Sequence, residues 1–196
     1  MNWDPNLQNV LSVCVFASFV IIVLIRAAIL RKRGIQVFVF GVTDKSDFLL
    51  VPAIAAIAYA VLAKTFHLPI WPALIRPFWE SVLPGWFGLG LCLLAFAGII
   101  LTLVSFGTSF RVGIDEKNPD KLITTGMFSI SRNPIYVCAF LFFAGLFLIH
   151  CNIVIGLSLI LFALTIHRQM RREEKFLKAH YGAEYEAYCG KVRRYL

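Results

Sequence analysis

Three stretches of this chain are too long and too apolar to be folded in water. LQNVLSVCVFASFVIIVLIRAAIL covers 7–30, FLLVPAIAAIAYAVLAKTF covers 48–66, and WFGLGLCLLAFAGIILTLVSF covers 86–106. A helix needs about 20 residues to cross roughly 30 Å of hydrocarbon at about 1.5 Å per residue, and each block has that length. Only 15% of the chain is charged and 59% is hydrophobic, too little charge to cover a soluble domain of 196 residues.

A fourth apolar block, 135–166, would measure about 48 Å as one helix, more than one crossing requires. Its middle reads His150, Cys151, Asn152, a polar cluster that predicts a turn. The expected arrangement is one helix from Pro134 to about Ile149 and a second from Ile153 running on into HRQMRREEKF. The fold class expected is therefore an all-α integral membrane protein. It has about five transmembrane helices, the fourth and fifth forming a hairpin, and a cytoplasmic amphipathic helix follows. Residues 1–196 read as a single membrane domain. Residues 1–85 form an accessory or substrate side, and 86–196 a cofactor-binding catalytic core.

Charge fixes an expected orientation. Seventeen of the 19 Lys and Arg fall at 26–45, 111–132 and 168–194, leaving Lys64 and Arg76 for the opposite face. By the positive-inside bias this puts the N-terminal side outside and the segment after the fifth helix in the cytoplasm, in a bacterial inner membrane or endoplasmic reticulum. Trp3, Trp71, Trp79 and Trp86 then collect near the outer interface. The net charge of +8 is accounted for by topology and anionic lipid, so no nucleic-acid partner is implied. The opening MNWDPNLQN lacks a basic n-region, so the first block is expected to stay as an anchor. Five scattered Cys and four His show no metal-ligand spacing, and no metal is expected.

The second half carries polar residues that spanning alone does not require. In GMFSISRNPIYVCAF, Arg132, Asn133 and Tyr136 stand at the mouth of an apolar run, with Pro134 where a helix begins. The hairpin would bring them to Arg172, Glu173 and Glu174. Carboxylates near the hydrocarbon boundary need cationic partners or a ligand. Guanidinium, amide, phenol and carboxylate together suit a zwitterionic ligand. Further on, Leu177, Tyr181, Tyr185 and Tyr188 share one side of a helix, which would lie on the membrane or fold back as a lid, with Glu174 and Lys178 paired on its outer side.

The ordered frame L-I-T-T-G-M-F-x3-S-R-N-P-I-Y, about 35 apolar residues, then E-E-K-F-L-x3-Y-G-x2-Y-x2-Y resembles the isoprenylcysteine carboxyl methyltransferase (phospholipid methyltransferase-like) superfamily over about 105–195. The resemblance implies methyl transfer from S-adenosyl-L-methionine to a membrane-partitioned acceptor, a carboxylate or a lipid amine. Its implied cofactor contacts are Asp115, Lys121, Leu122, Ile123, Phe128, Arg132, Asn133, Pro134, Ile135, Tyr136 and Glu173. Leu122, Ile123 and Phe128 would flank adenine, while Glu173 and Asn133 would bind the ribose or the amino-acid end. Arg111 or Arg168 would steer an anionic acceptor, and Glu174 or Asp115 would deprotonate an amine. Partners are then a lipophilic acceptor and membrane lipid.

Three positions depart from the family pattern. Asn133 replaces a histidine, Cys138 a glycine, and Gln169 an arginine linked to the substrate carboxylate in prenylcysteine enzymes. Two alternatives stay open. NADPH-dependent sterol and enone reductases share a related R-H-P-N-Y-x-G-E frame, which this chain breaks at Ile135 and Ala139; the other alternative is a non-catalytic membrane scaffold.

Overall fold

A computed structural model of the chain describes residues 5–34, 48–107 and 121–196. The described residues form seven α-helices and one 3-10 turn, with no strand among them. The helices are α1 (Pro5–Lys32), α2 (Leu50–Phe66), α3 (Pro72–Ile75), α4 (Leu83–Phe106), α5 (Pro134–His150), α6 (Ile153–Tyr181) and α7 (Ala183–Lys191); the turn is Gly126–Ser129. Segments Asn6–Lys32, Leu83–Phe106 and Ile153–Tyr181 are long and apolar enough to cross a membrane, while α2 and α5 are shorter apolar helices. Large apolar side chains such as Phe87, Leu94, Val104 and Leu164 stand exposed on these helices. An outward apolar face of that kind suits lipid rather than water.

Local chemistry sets the ends that matter. Pro134 occupies the first turn of α5, where its missing N–H costs nothing. At the far end Cys151 adopts a left-handed conformation (φ 34°). Asn152 follows and caps α6, its Oδ1 accepting the Ile155 N–H at 3.1 Å. The link between α5 and α6 is thus two residues, and the two helices pack on each other. The Phe143 and Phe162 rings meet edge-on at 4.7 Å, and the Gly156 backbone faces the Phe147 ring.

Between α4 and α5 the packing is backbone to backbone. A methyl placed on Gly88 would lie 2.5 Å from the Gly145 carbonyl oxygen, and one on Gly145 would lie 2.6 Å from both the Gly88 oxygen and Cys92 Sγ. Small residues let spanning helices approach in this way. Cys138 finds its place in the same seam: its sulfur fills the space over Gly98, where a methyl would come within 2.6 Å. Phe142, Phe143, Leu146, Ile57, Val61 and Ile155 complete a fully buried core, with Phe16 and Phe19 of α1 packed on the two α5 phenylalanines.

Away from the α5 start, a second polar group ties α1 to the α5–α6 link. Ser12 Oγ and His150 Nε2 are 2.8 Å apart and buried, and Gln8 Nε2 donates to the Val82 carbonyl at 2.9 Å.

Two expectations for the segment after α5 are corrected. The tyrosine stripe does not continue along one helix, because Gly182 (φ 52°) stops α6 and redirects the chain into α7. Glycine takes that backbone region without the penalty a Cβ would bring. The break turns Tyr185 and Tyr188 into the protein, where both are buried. Nor do Glu174 and Lys178 pair with each other: Lys178 bonds Glu186 across the break at 2.9 Å, while Glu174 points inward.

Candidate functional site

The site assembles where the start of α5 meets the lower part of α6. Its floor is the Gly126–Ser129 turn, docked on the end of α4. Ser105 Oγ accepts the Met127 N–H at 3.1 Å. Gly126 (φ 63°) lies so close above it that a methyl there would be 2.4 Å from Ser105 Oγ. Any side chain at 126 would therefore lift the turn. Phe128, buried, sets its ring edge-on to Phe106 at 4.8 Å, and its carbonyl accepts the Tyr188 hydroxyl at 2.6 Å. Of the two placements expected for the tyrosine segment, α7 thus takes the one folded back over 126–133.

The two carboxylates of the E-E pair are held differently. Glu173 Oε1 accepts the Tyr136 hydroxyl at 2.5 Å and Gln169 Nε2 at 3.2 Å. Glu174 Oε1 accepts Asn133 Nδ2 at 3.0 Å and lies 3.4 Å from Arg132 Nε. Its Oε2 accepts Nε and Nη2 of Arg194 at 2.9 and 2.7 Å. Charge-assisted contacts like these are the stronger class of hydrogen bond. They form in a half-dry setting, since the Glu174 side chain is only 11% exposed. The hydrogen bond to Glu174 raises the already high pKa of Arg194. In α7, burial raises the Tyr185 phenol and pushes Tyr188 up to about 12.

A second set of bonds sews residues 193–195 to the same place. The Arg132 N–H donates to the Arg193 carbonyl at 3.0 Å. Ser131 Oγ and Asn133 Nδ2 both donate to the Arg194 carbonyl at 3.2 Å. Tyr195 reaches back along α6, its hydroxyl 2.5 Å from His167 Nδ1.

Of Arg132, Asn133, Tyr136, Arg172, Glu173 and Glu174, expected together from the sequence, Arg132 and Asn133 meet Glu174 and Tyr136 meets Glu173. Pro134 is buried and Ile135 half-buried at the start of α5. Lys121 is exposed, and Leu122 and Ile123 are half-buried on the approach to the turn. Arg168 is exposed on α6, and Arg172 is half-buried one turn on. Arg111 and Asp115 lie outside the described residues. The sequence reading gave Tyr188 only as part of the tyrosine stripe, gave Ser131 no role, and missed Arg194. Its only available signal was the basic K-V-R-R run after Y-x2-Y, which looks like any cytoplasmic anchor.

One buried atom points to a ligand. Gln169 is 2% exposed, and its Oε1 has no hydrogen-bond partner among the described residues. Because Gln169 Nε2 must be the end that donates to the Glu173 carboxylate, the unpaired end is an acceptor. An orphaned acceptor beside a carboxylate calls for a group with N–H or O–H hydrogens.

Comparisons with known proteins converge on one chemistry. A family model described as phospholipid methyltransferase matches residues 83–184. A protein of Oryza sativa subsp. indica named probable protein-S-isoprenylcysteine O-methyltransferase is 28% identical over 160 residues, covering 78% of this chain and 79% of its own length. Its counterpart in Oryza sativa subsp. japonica gives the same figures. Protein-S-isoprenylcysteine O-methyltransferase B of Arabidopsis thaliana is 27% identical over 143 residues, 70% of this chain and 69% of its own.

Proposed function

Since the chain belongs to the phospholipid methyltransferase family and is a methyltransferase, we propose that it transfers the methyl group of S-adenosyl-L-methionine to a lipophilic acceptor, a carboxylate or a lipid amine, held in the membrane. The observation that carries this reading is the joining of the two motif halves. Tyr136 and Glu173 are 37 residues apart, yet they share a 2.5 Å hydrogen bond, and the orphaned acceptor of Gln169 sits in the same network.

The residues present fit the cofactor. S-adenosyl-L-methionine carries an ammonium, ribose hydroxyls and an exocyclic amine, donors suited to Glu173 and to the unpaired Gln169 oxygen. Phe128 offers a buried aromatic surface for adenine, with Leu122 and Ile123 beside it in sequence. Lys121, Arg132, Asn133, Pro134 and Ile135 complete the proposed contacts. When bound, the cofactor would supply a sulfonium-activated methyl group, which an acceptor lone pair would take in line as the S–C bond breaks and the neutral thioether S-adenosyl-L-homocysteine leaves, chemistry that needs no metal.

The protein's own part is positioning, which can supply several kcal/mol of the barrier. Tyr136 and Gln169 fix the Glu173 carboxylate from two sides. A carboxylate acceptor arrives ionised and needs no base, with Arg168 the described cation suited to steering it. An ammonium acceptor must first lose a proton. Glu174 already accepts three N–H groups and lies 3.4 Å from Arg132 Nε, contacts with which a proton-accepting role there would compete. Arg111 and Asp115 are assigned no step.

In this reading α1, α2, α4, α5 and α6 make five crossings, α5 and α6 as a hairpin, with the site at the cytoplasmic mouth among the basic segments. The test is titration of S-adenosyl-L-methionine into the detergent-solubilised protein by calorimetry. Glu173→Ala should weaken binding while helicity and expression hold, and scintillation counting should find labelled methyl groups in a membrane-lipid extract only with the wild type. Equal affinity in wild type and Glu173→Ala would remove Glu173 from the cofactor site.

A further inference from the structure

Residues 193–195 lie beyond the 83–184 match to the family model, yet they bond to Ser131, Arg132, Asn133, His167 and Glu174. Arg194 touches both halves of the site at once. Its guanidinium takes Glu174 Oε2 on α6 through two N–H groups. Its main-chain oxygen takes Ser131 Oγ and Asn133 Nδ2 at the start of α5.

The consequence lies in the amide of Asn133. A primary amide nitrogen has two hydrogens, and here one is directed to Glu174 and the other to the Arg194 carbonyl. Both partners can only accept, so the amide cannot turn over without losing both bonds. Asn133 is 6% exposed, and losing bonds in such a place is costly. The arrangement leaves Oδ1 as the edge with hydrogen-bonding capacity to spare.

We infer that Arg194 is a positioning residue: it locks Glu174 and thereby the Asn133 amide, so that Asn133 Oδ1 is presented as an acceptor to an N–H or O–H group of the cofactor. This rests on the proposed cofactor reading. A lysine cannot replace the arginine fully, because an ammonium on a flexible stem lacks the paired N–H geometry that reaches Glu174 Oε2. The main-chain bonds of residue 194 survive any side-chain change, so the segment stays attached in the variants.

The experiment measures S-adenosyl-L-methionine affinity by calorimetry for wild type, Arg194→Ala, Arg194→Lys and Asn133→Asp, each with a thermal melt in detergent without ligand. Arg194→Ala should lose at least about tenfold in affinity, the scale of one charge-assisted hydrogen bond. Arg194→Lys should fall between the two. Methylguanidinium added below denaturing concentration should restore part of the affinity of Arg194→Ala and leave wild type unchanged, which a general loosening of the fold would not do. Asn133→Asp, which removes the directional amide, should lose affinity with no response to methylguanidinium. Wild-type affinity in folded Arg194→Ala, or a loss that methylguanidinium does not touch, overturns the inference. If Arg194→Ala does not fold, Arg194→Lys decides: wild-type affinity there overturns it. Absence of binding in the wild type itself would instead defeat the cofactor reading on which the inference rests.

Discussion

Replacing Gly145 by alanine tests the seam on which the site is mounted. The added methyl would lie 2.6 Å from Cys92 Sγ and from the Gly88 carbonyl oxygen, and 3.1 Å from the Cys92 nitrogen. Two of those three neighbours are backbone, so a side-chain rotation relieves little. Restoring an ordinary separation of about 3.5 Å requires α4 and α5 to part by roughly 0.9 Å, a gap that forfeits a quarter to a half of each dispersion contact across the seam. Overpacking of this kind costs about 1–3 kcal/mol. Exchanging a mid-helix glycine for alanine returns about 0.5–1 kcal/mol. The net loss is about 0–2.5 kcal/mol with a middle value of about 1 kcal/mol, or roughly 3 °C in a thermal melt. Gly90 is the control, since none of the described residues lies within 4 Å of a methyl there; Gly90→Ala should melt at or above wild type. Cys92→Ala added to Gly145→Ala should recover only part of the loss, because the Gly88 oxygen remains. A Gly145→Ala protein that melts with Gly90→Ala would show that α4 and α5 are not apposed through these glycines.

Two further outcomes follow from single hydrogen bonds. Asn152→Ala removes the α6 cap and strands the buried Ile155 N–H, which should cost about 1–2 kcal/mol in detergent unfolding, while Asn152→Ser should retain most of the stability. Tyr188→Phe removes the 2.6 Å bond to the Phe128 carbonyl and should cost about 1 kcal/mol at neutral pH. Burial raises the folded Tyr188 pKa to about 12, so the contribution is whole below the unfolded value of about 10 and is lost as pH rises through the folded one. Melts taken across that range should show the gap between wild type and Tyr188→Phe steady up to about pH 10 and shrinking above it. A gap independent of pH would sever Tyr188 from the alkaline loss.

The sequence determined the class of this protein and most of its helix ends. Blocks of about 20 apolar residues have few other uses than crossing lipid. Pro134 opens α5 and Asn152 caps α6 through bonds made within a few residues, so local chemistry was enough to place them. The ordered motif brought Arg132, Asn133, Tyr136, Glu173 and Glu174 forward as one group. Gly182 was just as local a signal, but the apolar period running through Leu177, Tyr181, Tyr185 and Tyr188 hid it. A stripe records which residues prefer burial and not whether one helix or two delivers them.

What only the tertiary structure decided is how that group is divided. Glu173 and Glu174 are indistinguishable as neighbours in a string. In the fold Glu173 meets the Tyr136 phenol and the Gln169 amide, while Glu174 meets the Asn133 amide and two guanidiniums, because a helix directs successive side chains about 100° apart. Arg194 lies 20 residues from Glu174 and 61 from Asn133. Its contact with both depends on the turn at Gly182, the docking of α7 over Phe128, and the meeting of α6 with the start of α5. Each of these is fixed by packing between segments far apart in the chain, and no spacing within the basic run at 191–194 records it.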